Sequence, residues 1–258
     1  MAVADNVHEL PRHGTEQDIR VQLAAAYRLV DHFGWTELIY GHLTARVPGP
    51  EKHFLINPYG LNYDEVTASS LIKIDIDGNI IGSSNYPVSK AGFIIHSAVH
   101  MADEGANHVV MHTHTRAGMA IAAIEEGLLP ISMFATAFQN QLGYHPYEGP
   151  SLYEDERERL LASLADNKAL ILENHGLLAV GATVAEAFLR LYRLERACQV
   201  QLDAAAAGRL RVLDNDVATR SGAGIDGFSN SQSDAGIGAL EYAALMRKLD
   251  KIDPSYRQ

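Results

Sequence analysis

Three shortages in this 258-residue chain each remove a class of protein. Cys198 is the only cysteine, so no disulfide framework can hold a small secreted domain together from within the chain. Basic residues are scarce: 21 Lys and Arg stand against 32 Asp and Glu, a formal net charge of −11. A phosphate-backbone binder needs clustered cations to displace counterions, so nucleic acid is not an expected partner. No window approaches the roughly 20 apolar residues of a membrane span, and residues 1–14 lack an apolar stretch of signal-peptide length. The expectation is a soluble cytoplasmic protein with no membrane partner. Hydrophobic residues make up 47% of the chain, which suits one large α/β domain or two small ones.

Residues 1–16 read as a loose, polar arm. Ile19, Leu23, Ala26, Tyr27, Val30 and Phe33 then recur at helical spacing, and Gly34 supplies a stop. Short β-branched runs follow at 53–57, 71–76 and 79–81, the last two joined by a hairpin signal at Asp77-Gly78. Strand and helix alternate after that, which favours an α/β sandwich. The spacing predicts a helix over 91–103, a strand over 109–115, a helix over 116–125, a strand at 130–134 and an ordered loop over 139–150. Ser151 with Glu154, and Thr183 with Glu186, have capping-box spacing; the second opens a long helix reaching Ala207. Residues 214–237, rich in Gly, Ser, Asn and Asp, read as a mobile segment before a short helix at 240–249.

The sharpest chemical feature is His112-Thr113-His114, which ends an apolar run. A period of two puts both imidazoles on one strand face, where they can chelate one cation. His175 also ends an apolar run, ahead of Gly176, and three His with an open position is the arrangement of a catalytic zinc site. His96 and His100 form an i, i+4 pair opposite the apolar stripe of Ala91, Ile94, Ala98 and Met101, and are expected to face solvent or a neighbouring subunit. Two patterns are decoys. Asp75-x-Asp77-Gly78-Asn79 looks calcium-like, but the Glu that closes an EF-hand loop is Tyr86 here. Gly222-x-Gly224-x-x-Gly227 satisfies the dinucleotide pattern with no strand before it and no clear helix after it. Cys198, mid-helix and without a local activating group, reads as a small buried residue.

Four motifs in fixed order resemble the class II aldolase/adducin family over roughly residues 18–207. They are Gly34-Trp35 followed by Tyr40-Gly41-His42-Leu43-Thr44-Ala45-Arg46; Ile56-Asn57-Pro58-Tyr59-Gly60; His108 through His114; and Leu172-Glu173-Asn174-His175-Gly176. The resemblance implies a three-layer α/β/α fold with a central, mostly antiparallel sheet for a domain spanning 17–208; by composition, 209–258 is a flexible segment ending in a short helix. It implies one divalent metal per chain, Zn2+ before Mn2+, Co2+ or Fe2+, held by His112, His114 and His175. It also implies a homotetramer with active sites between subunits.

Two departures from the phosphoaldolases bear on the substrate. Their Ser-Ser-Glu is replaced by Ser89-Lys90-Ala91-Gly92, which removes the catalytic carboxylate, and their Gly-Asn-x-Ser loop reads Gly41-His42-Leu43-Thr44. The reading is therefore a divalent-metal-dependent lyase that carries out retro-aldol cleavage of an unphosphorylated hydroxy- or oxo-compound. Tyr144 and His145 are the candidate acid/base groups. His42, Asn57, Gly60 and Lys90 are candidate substrate contacts, and Glu173, at strand parity with His175, is a candidate for orienting a ligand. An epimerase or decarboxylase on the same metal site, or a non-catalytic adducin-like scaffold, are the alternatives. Adducin-type domains lack the His set, which favours an enzyme.

Overall fold

The computed structural model describes residues 14–102, 107–149, 155–231, 234 and 236–258. Helix α1 (Glu16–His32) begins at Thr15. Its Oγ1 accepts the Asp18 N–H at 3.2 Å, and the Asp18 carboxylate accepts the Thr15 N–H at 2.8 Å. This reciprocal cap satisfies two donors that a helix start leaves open. Seven strands follow: β1 (His42–Arg46), β2 (Phe54–Ile56), β3 (Ile72–Ile74), β4 (Val109–Thr113), β5 (Leu142–His145), β6 (Ala169–Leu172) and β7 (Gly176–Gly181). They form one sheet in the order β3-β2-β1-β4-β7-β6-β5. Every pairing is antiparallel except β5 with β6.

The other helices are α2 (Lys90–Ala102), α3 (Arg116–Ala122), α4 (Met133–Thr136), α5 (Glu156–Leu164), α6 (Val184–Ala207), α7 (Asn215–Ser231) and α8 (Ala239–Ile252). Successive strand residues point to opposite faces, and the sheet has a core on each. Leu43, Ala45, Val109, Met111, Ile171, Leu177 and Ala179 join residues of α1, α3, α6 and α8 in the larger cluster. Val110, Leu170, Leu172, Leu178 and Val180 meet Ile95 and Val99 of α2 and Leu160 and Leu164 of α5. The result is the expected three-layer α/β/α fold. His42, Thr44 and His112 have the parity of the second, α2-bearing face.

The structure corrects the reading of the C-terminal region. Most of residues 214–237 form α7, so this segment is not a loose linker among the described residues. Its contacts run through small and polar groups: Ser221 Oγ lies 2.7 Å from Thr136 Oγ1, and Lys168 Nζ lies 2.6 Å from Asp226 Oδ1. A Cβ on Gly222 would stand 2.6 Å from the Thr136 carbonyl, so a helix read as too polar to pack does so because it comes close. The glycines of the dinucleotide-like pattern lie within this helix. The chain end is also docked. Tyr256 is fully buried, its carbonyl accepts the Ala68 N–H at 2.9 Å, and the Tyr242 hydroxyl donates to the Gln22 carbonyl at 2.7 Å.

Two local expectations also change. The run at 130–134 leads into α4, with Ser132 Oγ accepting the Ala135 N–H at 3.2 Å. The loop over 139–150 contains β5, paired in parallel with β6. The long helix is as expected: Thr183 Oγ1 accepts the Glu186 N–H at 3.1 Å, and Gly208 caps the other end. Most of the predicted N-terminal arm, and the capping box of Ser151 with Glu154, lie outside the described residues.

Candidate metal centre

β4 delivers His112, and His114 follows one residue beyond the strand end. His175 stands in the tight turn between β6 and β7, where Asn174 takes a left-handed φ of +54°. Gly176 lets this turn come close, because a Cβ there would lie 2.5 Å from the Thr113 carbonyl oxygen and 3.3 Å from His114 Cδ2. The three rings converge: His112 Nε2 is 2.7 Å from His114 Nε2, which is 3.0 Å from His175 Nε2.

His112 Nδ1 lies 2.8 Å from the Leu177 carbonyl oxygen. A carbonyl only accepts, so Nδ1 carries the proton and Nε2 presents a lone pair to the cluster. Burial opposes protonation of all three rings. It pushes His112 well below the ordinary histidine value and His175 down to about 4. His114 is also lowered by burial, against the opposing pull of the Glu37 carboxylate. Without an ion, a neutral His114 N–H can bridge these separations as a hydrogen bond; with Nε2 of each ring bare, a cation can take the proton's place between them. A tetrahedral ion about 2.0–2.1 Å from each nitrogen spaces its ligands by roughly 3.3 Å. The two close pairs open by about 0.6 and about 0.3 Å to reach that spacing, and all three ligand atoms already lie within 4.8 Å of one another, so the donor set fits a divalent ion after small ring movements.

Beside the triad runs a second row of imidazoles. His42 pairs with His112 across β1 and β4, and their ring centroids are 5.1 Å apart. His42 Nδ1 is 2.9 Å from His96 Nε2, and His96 Nδ1 is 2.7 Å from Thr44 Oγ1. Thr44 Oγ1 is 2.7 Å from His100 Nε2, and His100 Nδ1 is 3.2 Å from the Asn107 carbonyl oxygen. This corrects the outward placement of His96 and His100, each only 1% exposed. α2 packs against the sheet on one side and its layer neighbour α5 on another, so it buries more than one stripe, and Thr44 gives both rings a partner inside. Burial lowers His42 and His100 to about 3 and holds His96 well below the ordinary histidine value, so the row is neutral.

The remaining candidates divide by location. His145 lies on the triad side of the sheet: its Nδ1 is 3.0 Å from Ser163 Oγ, and its Nε2 is 3.5 Å from Glu156 Oε1. Tyr144 has the opposite parity, and its hydroxyl accepts the Leu128 N–H at 3.0 Å. It is therefore held on the other face, away from the three His. Glu173 sits in the turn with His175, not on a strand, so the parity argument for it does not apply. Its backbone N–H bonds the His145 carbonyl at 2.9 Å, and it lines a small recess with His145, Tyr147 and His175. Asn57 is buried with its Oδ1 2.9 Å from the Tyr27 hydroxyl. Gly60 lies against the Tyr86 ring, and Lys90 is exposed in the first turn of α2.

Residues 21–202 match the family model of the class II aldolase and adducin N-terminal domain. The chain belongs to the class II aldolase/adducin family. A Caulobacter vibrioides protein whose name carries the words aldolase class 2 is 47% identical over 93% of this chain and 92% of its own length. The solved L-fuculose 1-phosphate aldolase of Glaciozyma antarctica superposes with a TM-score of 0.80 at 29% identity, covering 94% of this chain and 93% of that one. Rat alpha-adducin is 42% identical over 92% of this chain, which spans 34% of the adducin.

Within this aldolase/adducin domain the two departures from the phosphoaldolase motifs meet in space. A Cβ on Gly92 would lie 2.6 Å from His42 Cδ2, so the imidazole in the altered loop occupies room that the altered helix start leaves free. The sequence reading missed three neighbours. Tyr147, two residues beyond the end of β5, brings its ring to 6.2 Å from that of His175. Thr44 carried a period-two signal from His42. Glu37, in a loop before β1, had no local signal.

Proposed function

We propose that this class II aldolase homologue is a divalent-metal-dependent lyase that cleaves a C–C bond of an unphosphorylated hydroxy- or oxo-compound in the retro-aldol sense. The observation that carries this reading is the convergence of the three Nε2 atoms, with His112 fixed by the Leu177 carbonyl. A divalent ion held by His112, His114 and His175, zinc by its fit to three imidazoles, would supply Lewis-acid polarisation of adjacent substrate oxygens. Protein groups must then move the protons. His145 and Tyr147 line a recess with His175, the Glu37 charge acts on His114, and His42 lies beside His112. No phosphoaldolase-type Glu stands at the start of α2.

The likeness to alpha-adducin supports a second reading, a binding domain without catalysis. Against it, three His with a fourth position left open is the arrangement of a catalytic rather than a closed structural zinc site. We further propose a homotetramer, as implied by family resemblance, and sedimentation of a micromolar sample as a monomer would refute it. The test of function is metal content, followed by turnover. Purified protein should hold about one divalent ion per chain, and His112→Ala/His114→Ala should hold none. Metallated protein should release an aldehyde from unphosphorylated aldols at a higher kcat/KM than from fuculose, ribulose or rhamnulose phosphates. Full metal occupancy in the double variant, or preferred turnover of a sugar phosphate, would overturn the reading.

A further inference from the structure

The row of imidazoles has a direction, fixed at one end. The Asn107 carbonyl accepts only, so His100 Nδ1 is the donor there, and a neutral ring then has a bare Nε2. Thr44 has one hydroxyl proton and gives it to that Nε2. Its oxygen must then accept from His96, so His96 Nδ1 carries a proton and His96 Nε2 is bare. His42 therefore donates through Nδ1 to His96. Every link is fixed by the one before it, and the last atom in the row is His42 Nε2, a lone pair with no hydrogen-bond partner among the described residues. Its ring lies beside His112, yet its nitrogens are not among the converged ligand atoms. It borders the metal centre without completing it.

We infer that His42 Nε2 accepts a hydrogen bond from a hydroxyl of the substrate next to the ion, and that His96, Thr44 and His100 are positioning residues that hold it in the accepting tautomer. This rests on the metal-lyase reading and sharpens its substrate class to compounds that present an O–H donor at that point. A phosphate dianion presents acceptors only. It would meet the lone pair with repulsion, whereas an amide at the same position could turn its N–H2 toward an anion. The altered loop thus selects by polarity of the hydrogen bond.

The experiment has two arms. In the first, 15N-histidine NMR of the metal-free and zinc-loaded protein reads the tautomers directly. His42, His96 and His100 should each show a protonated Nδ1 and a bare Nε2, in both forms. In the second, calorimetry compares glycolate with methoxyacetate on zinc-loaded protein; methylation removes the donated proton, and the Thr44 variants separate that loss from the added bulk of the methyl group. Glycolate should bind about tenfold tighter, the worth of one hydrogen bond to a desolvated acceptor. Thr44→Val should abolish that preference and mix the His42 tautomers, and Thr44→Ser should restore both. A protonated Nε2 on His42 in wild-type protein, or equal affinity for the two acids, would overturn the inference. Failure to take up zinc with the tautomers intact would overturn the metal reading instead, so the two failures are distinguishable.

Discussion

Gly176→Ala is the smallest change that should reach the metal centre without touching a ligand. Gly176 does not adopt a positive φ among the described glycines, so alanine can take its backbone conformation, and unfolded-state entropy favours the substitution by about 0.4–1 kcal/mol. The opposing effect is steric. The new Cβ would lie 2.5 Å from the Thr113 carbonyl oxygen, where real Cβ contacts essentially never fall below 3.0 Å. β4 and the turn before β7 must separate by about 0.5 Å, and overpacking of this kind costs about 1–3 kcal/mol. The net expectation is a loss of about 1–2 kcal/mol. For a chain of this size that lowers Tm by about 3–6 °C.

The displaced groups are the neighbours of His112 and His114 on one side and of His175 on the other. Ligand distances tolerate only about 0.2 Å, so the same shift should cost zinc affinity about 10-fold to 100-fold, as loss of a ligand's supporting contacts does elsewhere. Competition against a chromophoric zinc chelator and melting of the metal-free protein read the two effects separately. A Gly176→Ala protein that melts with the wild type and holds zinc equally tightly would show that the turn does not set the ligand geometry.

Helix α7 offers a matched pair: Gly222→Ala should destabilise by about 1–3 kcal/mol through the Thr136 carbonyl, whereas Gly224→Ala, with open space at its Cβ, should stabilise by up to about 1 kcal/mol. Equal melting shifts for the two would mean that α7 does not pack there. The pH dependence of metal-free protein should carry the signature of His100. Its folded pKa of about 3 lies below the ordinary 6.5, so the unfolded chain binds the extra proton between these values. Its contribution is complete above pH 6.5 and is lost as pH falls toward 3, with a slope of up to about 1.4 kcal/mol per pH unit. Denaturant titrations from pH 7 to 4 should therefore show a shallower acid slope in His100→Gln, and an unchanged slope would contradict its burial as a neutral ring.

The features legible in the sequence are those that local chemistry decides. The box of Thr183 and Glu186 and the stop at Gly208 satisfy or terminate backbone hydrogen bonds within a few residues, so α6 could be read from them directly. The His112–His114 pair is legible as a His-x-His closing an apolar run, although the strand itself ends at Thr113. Helix α7 fails that kind of reading, because its burial depends on glycine and serine meeting the Thr136 backbone rather than on an apolar stripe. Tyr144 fails for a related reason. A Gly-Tyr-His-Pro-Tyr segment treated as loop has no parity, and once β5 pairs with β6 the first tyrosine belongs to the far face while His145 takes the near one.

The misplacement of His96 and His100 shows where helical periodicity stops being informative. An i, i+4 pair opposite an apolar stripe faces solvent only if a single neighbour covers the helix, and α2 has neighbours on two sides. Polar rings then become buried on condition that each nitrogen finds a partner. That condition is met by Thr44, 52 residues from His96 and 56 from His100 along the chain, by His42 and by one carbonyl at Asn107. No window of sequence contains all of these groups. The same distance is what gives the row its direction, since tautomers in a closed chain of neutral donors and acceptors are set by the group at its end. The residue bordering the metal ligands thus receives its hydrogen-bonding character from a carbonyl at the opposite end of the row, a relation that exists only in the folded protein.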